Sequence, residues 1–439
     1  MRAQALRNIT LEDALRDAEA RYAAANPKSH ARHVDAARHL PGGNTRSILF
    51  YPPFPVTMVR GEGARLFDLD GHAYLDFLGE YTAGLYGHSH PVIQAAVERA
   101  LKGGVTLGAP NTYEAELAEL ICARFPSCDM VRFCNSGTES NLNALSAARA
   151  LTGRTHIMVF EGGYHGGMLS FAHGASPANV PFPYVFGRYN DLDGTLARIE
   201  RHAGDLAAIV IEPMMGAGGC IAAEPQFLQG LRDAATRHGI ILIFDEVMTS
   251  RLSPGGLQAT LGITPDMTTF GKYLGGGMSF GAFGGRKEIM RRFDPSQPDA
   301  LPHSGTYNNN VLSMAAGVAG LSAVFTPDVA NALTETGEQL KARLNALGER
   351  HGVPIQVTGV GSILCAHFQH EPIRQPQDTE HTPAAARALF HLEMLARGFY
   401  TARRGFIALS LPLTNDDYDA FVEAFEEFLA ANGPALTAA

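Results

Sequence analysis

Short, continuous apolar runs alternate with helix-patterned blocks between about residue 90 and residue 325. Strands that are buried on both faces have unbroken apolar sequences, because neither side of such a strand meets water. Parallel strands also need a crossover between them, which is usually a helix. The alternation therefore predicts an α/β fold with a parallel sheet covered by helices on both faces. The predicted strands are 130–134, 155–160, 206–212, 240–247 and 267–270.

The N-terminal part of the chain has a different pattern. Residues 1–40 are helical in pattern, and the stretch 51–55 must be irregular because it contains three prolines. The runs 65–68 and 73–77, with an Asp70-Gly71 turn between them, predict a β-hairpin.

The C-terminal part of the chain combines helix and strand patterns. Thr414 and Asp417 have the spacing of a capping box, and an amphipathic helix follows and ends near Ala431. This mixture predicts a separate, smaller α+β unit. Its other predicted elements are an alternating stretch, a helix and a strand at 355–368, 384–396 and 406–411.

Charge and cysteine content argue against several classes of protein. The net charge is −9 and no Lys/Arg run exceeds two residues, which argues against a nucleic-acid partner. The first thirty residues carry acids and no continuous apolar core, and no stretch has the length to span a bilayer. The five cysteines have no CxxC spacing and are typical of reduced thiols. We expect a soluble, cytoplasmic protein without a membrane partner.

Lys272 is the most unusual of the five lysines in the chain. The other four lie beside charged or turn residues, whereas Lys272 follows a short apolar run and precedes a glycine cluster at 275–277. A charged ammonium is costly in such surroundings unless it is paired or loses its proton. A Schiff-base lysine satisfies this condition, and a buried salt bridge is the alternative.

The strand at 130–134 turns into a helix through Ser136, Gly137 and Thr138. Backbone N–H groups at a helix N-terminus bind phosphate, because they are unpaired and the helix dipole favours negative charge. An ordinary N-cap is the alternative explanation of the same residues.

Two further strand ends carry chemistry-bearing residues. Asp245 and Glu246 lie near the end of the run 240–247, where an aspartate can bind a metal, cap a helix or pair with a cationic heterocycle. No His/Cys spacing completes a metal site, and His88 and His90 are interpreted as turn residues without a nearby partner. Tyr164 lies in a glycine-rich loop after the run 155–160 and offers a flat face for a ring, or else belongs to a tight surface loop.

Four predicted strand ends thus carry a phosphate-binding loop, an aromatic side chain, a carboxylate and an isolated lysine. Pyridoxal phosphate needs a Schiff-base amine, an acid on its pyridine nitrogen, a phosphate site and packing against its ring. The combination favours this cofactor over four unrelated features.

These residues resemble the class III aminotransferases of fold type I, and within them the glutamate-1-semialdehyde aminomutase subgroup. The similarity is closer to the β-phenylalanine aminotransferases over 41–51, 248–252, 276–286 and 303–310. The motifs that carry the resemblance are Asn135-Ser136-Gly137-Thr138-Glu139, Tyr164-His165-Gly166, Ile211-Glu212-Pro213, Phe244-Asp245-Glu246-Val247, Gly271-Lys272 and Gly305-Thr306.

The resemblance implies a fold type I enzyme whose large domain, 76–325, holds pyridoxal phosphate on a mostly parallel, seven-stranded sheet. It implies a smaller α+β domain at 326–439, and an N-terminal segment, 1–75, that contributes to the small domain and the substrate pocket.

The resemblance also implies a role for each matched residue. Lys272 would form the Schiff base and carry the proton, Asp245 would hold the pyridine nitrogen protonated, and Glu212 would support the site from behind. Thr306 would reach the phosphate of the neighbouring subunit, which makes the functional unit a homodimer. The remaining cofactor contacts would come from Ser136, Gly137 and Thr138 at the phosphate and from Tyr164 and Val247 on the two faces of the ring.

Arg46 and Arg404 are candidates for binding substrate carboxylates, because a guanidinium binds a carboxylate through two hydrogen bonds. Taken alone, an arginine of this kind more often forms a surface ion pair. The resemblance implies that Arg46 holds the carboxylate of a β-amino acid and Arg404 the α-carboxylate of a keto acid. The neighbouring Arg403 is an alternative to Arg404.

The implied reaction is transamination of an aromatic β-amino acid such as β-phenylalanine to the β-keto acid, with 2-oxoglutarate or pyruvate as amino acceptor. A glutamate-1-semialdehyde 2,1-aminomutase, which moves an amino group within one molecule, is the enzymatic alternative. A ligand-sensing regulator with this fold is a non-enzymatic alternative, but the chain has no basic helix-turn-helix pattern before its fold begins.

Overall fold

The computed structural model describes residues 10–172 and 174–438. The first nine residues, part of the helical pattern predicted for 1–40, lie outside the described residues. The helices are α1 Leu11–Ala25, α2 Pro27–Ala36, α3 Pro91–Lys102, α4 Thr112–Arg124, α5 Gly137–Thr152, α6 Leu192–His202, α7 Pro225–His238, α8 Gly256–Leu261, α9 Lys287–Met290, α10 Val311–Ala319, α11 Pro327–His351, α12 Ala384–Ala396 and α13 Asn415–Thr437.

The strands form four sheets. They are β1 Met58–Glu62, β2 Arg65–Asp68, β3 Ala73–Asp76, β4 Met130–Cys134, β5 His156–Phe160, β6 Tyr184–Gly187, β7 Leu206–Ile211, β8 Met214–Met215, β9 Ile221–Ala222, β10 Ile241–Asp245, β11 Met267–Gly271, β12 Gly281–Gly285, β13 Gln356–Val360, β14 Ile363–His367, β15 Phe399–Tyr400 and β16 Phe406–Ala408.

The largest sheet has seven strands in the order β4-β12-β11-β10-β7-β5-β6. All five predicted apolar runs are strands of this sheet, which confirms the mostly parallel α/β fold. Strand β12 pairs antiparallel with both of its neighbours, so the sheet is mixed and not purely parallel as the apolar runs alone suggested. Strands β6 and β12 were not predicted.

Helices cover both faces of this sheet, because alternate residues of its central strands point to opposite sides. Ile157 and Val210 pack with residues of α5 on one face. Met158 and Ile211 pack with residues of α6 and α7 on the other face. Every residue of β7 is buried, which explains why its sequence is apolar without alternation.

The two ends of the chain meet in a smaller sheet. Strands β2 and β3 form the predicted hairpin, and β1, which was not predicted, extends it. Strand β15, from the C-terminal part, pairs in parallel with β3. The segment 1–75 and the segment 326–439 therefore share a sheet, while the division of the chain at 75 and 325 stays a prediction.

The C-terminal α+β elements follow the predicted pattern, with one correction. Strands β13, β14 and β16 form an antiparallel sheet, and Thr414 and Asp417 cap each other's backbone at the start of α13. This helix does not end near Ala431 but continues to Thr437 with Pro434 inside it. Ala435 and Leu436 are buried, and their burial stabilises a last turn that the Gly433-Pro434 pair would otherwise end.

Within the described part of the chain, no single helix has both the length and the apolar character needed to cross a membrane. One pair of helical segments, Val311–Val324 and Pro327–His351, passes that test of length and composition only when taken together, across a bend of 79°.

Candidate active site

Five strands direct their carboxyl ends to one edge of the large sheet. Strand β12 is antiparallel to both β4 and β11, so β4 runs in the same direction as the parallel strands β11, β10, β7 and β5. Ligands of open α/β sheets bind at this edge. The residues that follow or end these strands are Ser136, Tyr164, Glu212, Asp245 and Lys272.

Lys272 follows directly after β11 and has a positive φ of 55°. Its Nζ donates a hydrogen bond to the backbone carbonyl of Tyr81. The pKa of Lys272 is lowered from 10.5 to about 7: burial is the largest cause, the charges of Arg404 and Arg46 also lower it, and those of Asp245 and Glu212 oppose the shift. A lysine with this pKa has a large neutral fraction at neutral pH, and the neutral amine is the nucleophile that forms a Schiff base. Among residues 10–172 and 174–438, no carboxylate pairs with Lys272 Nζ, so the buried salt bridge that was the alternative is not formed there.

Asp245 ends β10 and is buried. Its Oδ2 accepts hydrogen bonds from His165 Nδ1 at 2.7 Å and from Asn141 Nδ2 at 2.8 Å. Its Oδ1 accepts one from the backbone N–H of Val247 at 3.1 Å. Burial alone lowers the pKa of His165, but the hydrogen bond and the charge of Asp245 outweigh it and raise that pKa overall. The two buried side chains thus hold each other in place.

His165 and Asn141 were not among the predicted site residues. The histidine follows Tyr164 in a motif that was recognised, but nothing in the sequence indicated its contact with Asp245. Asn141 lies one turn into α5, where its Oδ1 accepts a hydrogen bond from Thr269 Oγ1 at 2.9 Å. Its position four residues after Gly137, on the same face of the helix, was the available signal.

The start of α5 contacts the Tyr164 loop. Ser136 is the N-cap residue, and its hydroxyl accepts a hydrogen bond from the Glu139 backbone N–H at 3.2 Å. Thr138 Oγ1 accepts one from the backbone of Gly167 at 3.2 Å. A Cβ atom at Gly166 would lie 2.2 Å from Thr138 Oγ1, so the loop approaches the helix this closely only with glycine there. Ser136 is thus the N-cap residue of α5, and Thr138 lies in the contact between helix and loop.

Val247 connects the β10 end to the helix and to the lysine. A Cβ atom on Gly137 would lie 3.0 Å from Val247 Cγ2, and a Cβ atom on Gly271 would lie 3.2 Å from Val247 Cγ1. The Val247 side chain is thus wedged between the first residue of α5 and the residue before Lys272.

Glu212 supports the Tyr164 loop from the end of β7. Its Oε1 accepts a hydrogen bond from the Tyr164 backbone N–H at 3.0 Å, and its Oε2 accepts one from Gly216 at 2.9 Å. The pKa of Glu212 is raised to about 7: burial is the largest cause, the charge of Asp245 also raises it, and the charge of His165 opposes the increase. The Tyr164 ring, unlike the carboxylate beneath it, is 48% exposed.

Arg46 and Arg404 meet at one tyrosine. The Arg404 Cζ atom lies 5.1 Å from the centroid of the Tyr81 ring, and the Arg46 Cζ atom lies 5.7 Å from it. Arg46 also forms an ion pair with Glu80. Arg404 Nε is buried and has no hydrogen-bond partner among the residues described here. The adjacent Arg403 lies near His391 instead: burial lowers the pKa of His391, and the charge of Arg403 lowers it as well.

Tyr81 lies in a strained turn. Glu80, Tyr81 and Thr82 have φ values of 47°, 52° and 80°, and Gly79 before them has 51°. Left-handed backbone costs on the order of 1 kcal/mol for each residue other than glycine. Such strain persists where the surrounding structure enforces it, and it concentrates at functional sites. The turn places the Tyr81 ring beside both arginines and its carbonyl at Lys272.

Thr306 is exposed in this single chain. Its loop lies close to the start of α5, because Asn308 Oδ1 accepts a hydrogen bond from Asn135 Nδ2 at 3.0 Å. The role of Thr306 in a neighbouring subunit stays a prediction.

Across residues 10–172 and 174–438, no three His, Cys, Asp or Glu side chains are grouped so as to hold a metal ion. His88, interpreted as a residue with no partner for a metal site, has one carboxylate beside it: its Nε2 lies 3.0 Å from Asp76 Oδ2.

The assembled residues fit pyridoxal phosphate. An amine with a lowered pKa, a buried carboxylate held by two side-chain donors, an exposed aromatic ring and a helix N-terminus lie at one sheet edge. The cofactor requires a Schiff-base amine, an acid for its pyridine nitrogen, a ring contact and a phosphate site, and these groups are of the types that could supply them.

Comparison with known proteins gives the same result. The sequence model of the class III aminotransferases matches residues 50–429. The β-phenylalanine transaminase of Variovorax paradoxus is 52% identical over 98% of this chain and 99% of its own. A solved structure of a β-phenylalanine aminotransferase from the same organism has a TM-score of 0.95 at 52% identity, covering 97% of this chain and 98% of that one.

A glutamate-1-semialdehyde 2,1-aminomutase from Desulforudis audaxviator is 36% identical over 91% of this chain and 97% of its own. The match to the family model covers most of the chain, and members of this family depend on pyridoxal phosphate. The chain belongs to the class III aminotransferases and is a pyridoxal phosphate-dependent aminotransferase.

Proposed function

We propose that this aminotransferase converts an aromatic β-amino acid such as β-phenylalanine to the β-keto acid, with 2-oxoglutarate or pyruvate as amino acceptor. The observation that carries the proposal is the pair of guanidinium groups, those of Arg46 and Arg404, on one tyrosine ring. Two guanidinium groups beside the same ring can each bind one carboxylate. The name of the Variovorax paradoxus relative supports the same substrate class.

Two positions are needed because the two substrates differ in length. In a β-amino acid, one carbon separates the carboxylate from the amine-bearing carbon. In an α-keto acid, the carboxylate is bonded directly to the carbonyl carbon that reacts. One fixed guanidinium cannot orient both carboxylates while the reacting carbon stays in place. We assign the β-amino acid carboxylate to Arg46 and the α-carboxylate of the acceptor to Arg404, whose unpartnered Nε makes it a better choice than Arg403.

Bound pyridoxal phosphate would supply the electron sink that lets a proton leave the amine-bearing carbon. Lys272 would take and return that proton, since its pKa, lowered chiefly by burial to about 7, leaves a large fraction of the amine neutral at neutral pH. Asp245, fixed by His165 and Asn141, would keep the pyridine nitrogen protonated. Glu212 would hold the Tyr164 loop in place.

The remaining cofactor contacts are also proposals. Tyr164 and Val247 would pack on the two faces of the ring, and Ser136, Gly137 and Thr138 would bind the phosphate at the start of α5. Thr306 would complete the phosphate site of a second subunit in a homodimer. We further propose a cytoplasmic location, in keeping with five cysteines that are all free thiols.

The proposal is tested by incubating the purified holoenzyme with β-phenylalanine and each keto acid in turn. We expect formation of alanine or glutamate, according to the acceptor, only when both substrates are present. An aminomutase would instead convert glutamate-1-semialdehyde without any acceptor, and that result would replace the proposal.

A further inference from the structure

Glu80 contacts Arg46, the residue to which we assign the carboxylate of the β-amino acid. Its carboxylate forms an ion pair with Arg46, and the two side chains are 54% and 44% exposed. An exposed ion pair contributes little to stability, so another carboxylate can replace Glu80 at small cost. Arg46 is thus already occupied by a carboxylate of the protein itself.

The backbone at Glu80 is fixed although its side chain is free to move. The N–H groups of Leu78 and Gly79 both donate to Asp76 Oδ1 at 2.9 Å, and Gly84 N–H donates to the carbonyl of Gly79 at 2.9 Å. The left-handed backbone of the turn directs Glu80 toward Arg46. Glu80 therefore stays within reach of the arginine after its carboxylate has been displaced.

Arg46 does not depend on Glu80 for its position. Its guanidinium lies over the Tyr81 ring, and its backbone N–H donates to Asn44 Oδ1 at 2.9 Å. A cation over an aromatic ring is held without any carboxylate. Tyr81 therefore positions the arginine, and Glu80 neutralises its charge.

We propose that Glu80 determines specificity by occupying Arg46 whenever the bound ligand brings no carboxylate to it. The inference rests on the proposed function, in which Arg46 binds the β-amino acid carboxylate. When pyruvate binds through Arg404, its methyl group points toward an arginine that Glu80 neutralises. When a β-amino acid binds, its carboxylate displaces Glu80. One pocket then accepts both a charged and an apolar group at the same place.

The test uses 3-phenylpropanoate, which has the ring and carboxylate of β-phenylalanine but no amine to react. Its dissociation constant is measured by calorimetry on the holoenzyme and on three variants: Glu80→Gln, Arg46→Ala and the double variant. Glu80→Gln removes the competing carboxylate, so it should tighten the binding of 3-phenylpropanoate about two- to fivefold, which corresponds to the energy of an exposed ion pair. Arg46→Ala should weaken it about tenfold or more, and Glu80→Gln should then have no further effect.

A second readout separates competition from a structural role. In Glu80→Gln, kcat/KM for pyruvate should fall about two- to fivefold, because the methyl group now faces an unpaired cation. Glu62→Gln is the matched control, since Glu62 pairs at 2.9 Å with Arg60 on the surface and should change neither value.

Two failures are distinguishable. If Arg46→Ala leaves the affinity for 3-phenylpropanoate unchanged, Arg46 does not bind the carboxylate and the proposed function loses its main support. If Arg46→Ala weakens binding but Glu80→Gln weakens it too or leaves it unchanged, Glu80 does not compete. The present inference is then overturned, while the assignment of Arg46 stands.

Discussion

His165 Nδ1 lies 2.7 Å from Asp245 Oδ2, and both side chains are buried. The pair joins the loop after β5 to the end of β10. Burial lowers the pKa of His165, but the hydrogen bond and charge of Asp245 outweigh it and raise that pKa overall. We infer that His165 fixes the Asp245 carboxylate in the position from which it can pair with the pyridine nitrogen.

His165→Phe should lower kcat about ten- to a hundredfold, because one hydrogen bond between charged groups is worth about 1.5–3 kcal/mol. KM for the β-amino acid should change little, since the carboxylate contacts lie elsewhere. Steady-state kinetics give both values. His238→Phe is the control, because His238 pairs with Glu200 on the surface at 2.9 Å. Equal losses in the two variants would remove the special role of His165.

Lys272→Ala should abolish turnover and leave the fold intact. No other lysine lies at the sheet edge, so no other amine takes over the proton transfer. Activity and thermal unfolding are measured on the same preparation. More than trace activity, or an unchanged visible spectrum of the bound cofactor, would contradict the assignment.

Asp245→Asn should keep the cofactor bound but slow proton abstraction severely. A neutral amide cannot stabilise a positive charge on the pyridine nitrogen, so the electron sink weakens. The rate is measured in single turnover, where product release does not interfere. A rate within a few-fold of the parent enzyme would move the assignment to another acid.

The reaction of apoenzyme with pyridoxal phosphate should depend on pH through Lys272. Burial lowers the pKa of the lysine to about 7, so its reactive neutral form increases as pH rises through 7 and is complete above it. The initial rate of the absorbance change should therefore rise about tenfold per pH unit below 7 and level off above. Lys272→Ala provides the background. A rise that continues toward the ordinary value of 10.5 would show that the amine is solvated.

The parallel strands were predictable from sequence because double burial leaves an unmistakable apolar pattern. Strand β12 was not, because four of its residues are Gly281, Gly284, Gly285 and Ala282, types that are rare in strands. The structure explains the composition, since a Cβ atom at Gly281 would lie 2.2 Å from the Ser136 carbonyl oxygen. Strand β6, a short edge strand after two prolines, gave a similarly weak signal.

Site residues were predictable where they end a strand, as Asp245 does, or directly follow one, as Lys272 does. It was not predictable where contacts join distant parts of the chain. His165 and Asp245 are 80 residues apart, and Arg46 and Glu80 are 34 apart. Such contacts depend on how the loops and the strained turn fold over the sheet edge, and local sequence patterns carry no information about them.

We propose that Arg46 binds the carboxylate of the β-amino acid and Arg404 binds the α-carboxylate of the keto acid, in the same pocket. The most direct test is to measure kcat/KM for each half-reaction in Arg46→Ala and Arg404→Ala. Loss of one charged contact should cost roughly ten- to a hundredfold. Arg46→Ala should impair deamination of the β-amino acid more than amination of the keto acid, and Arg404→Ala should do the reverse. Equal losses in both half-reactions would show a single shared carboxylate site and contradict the account.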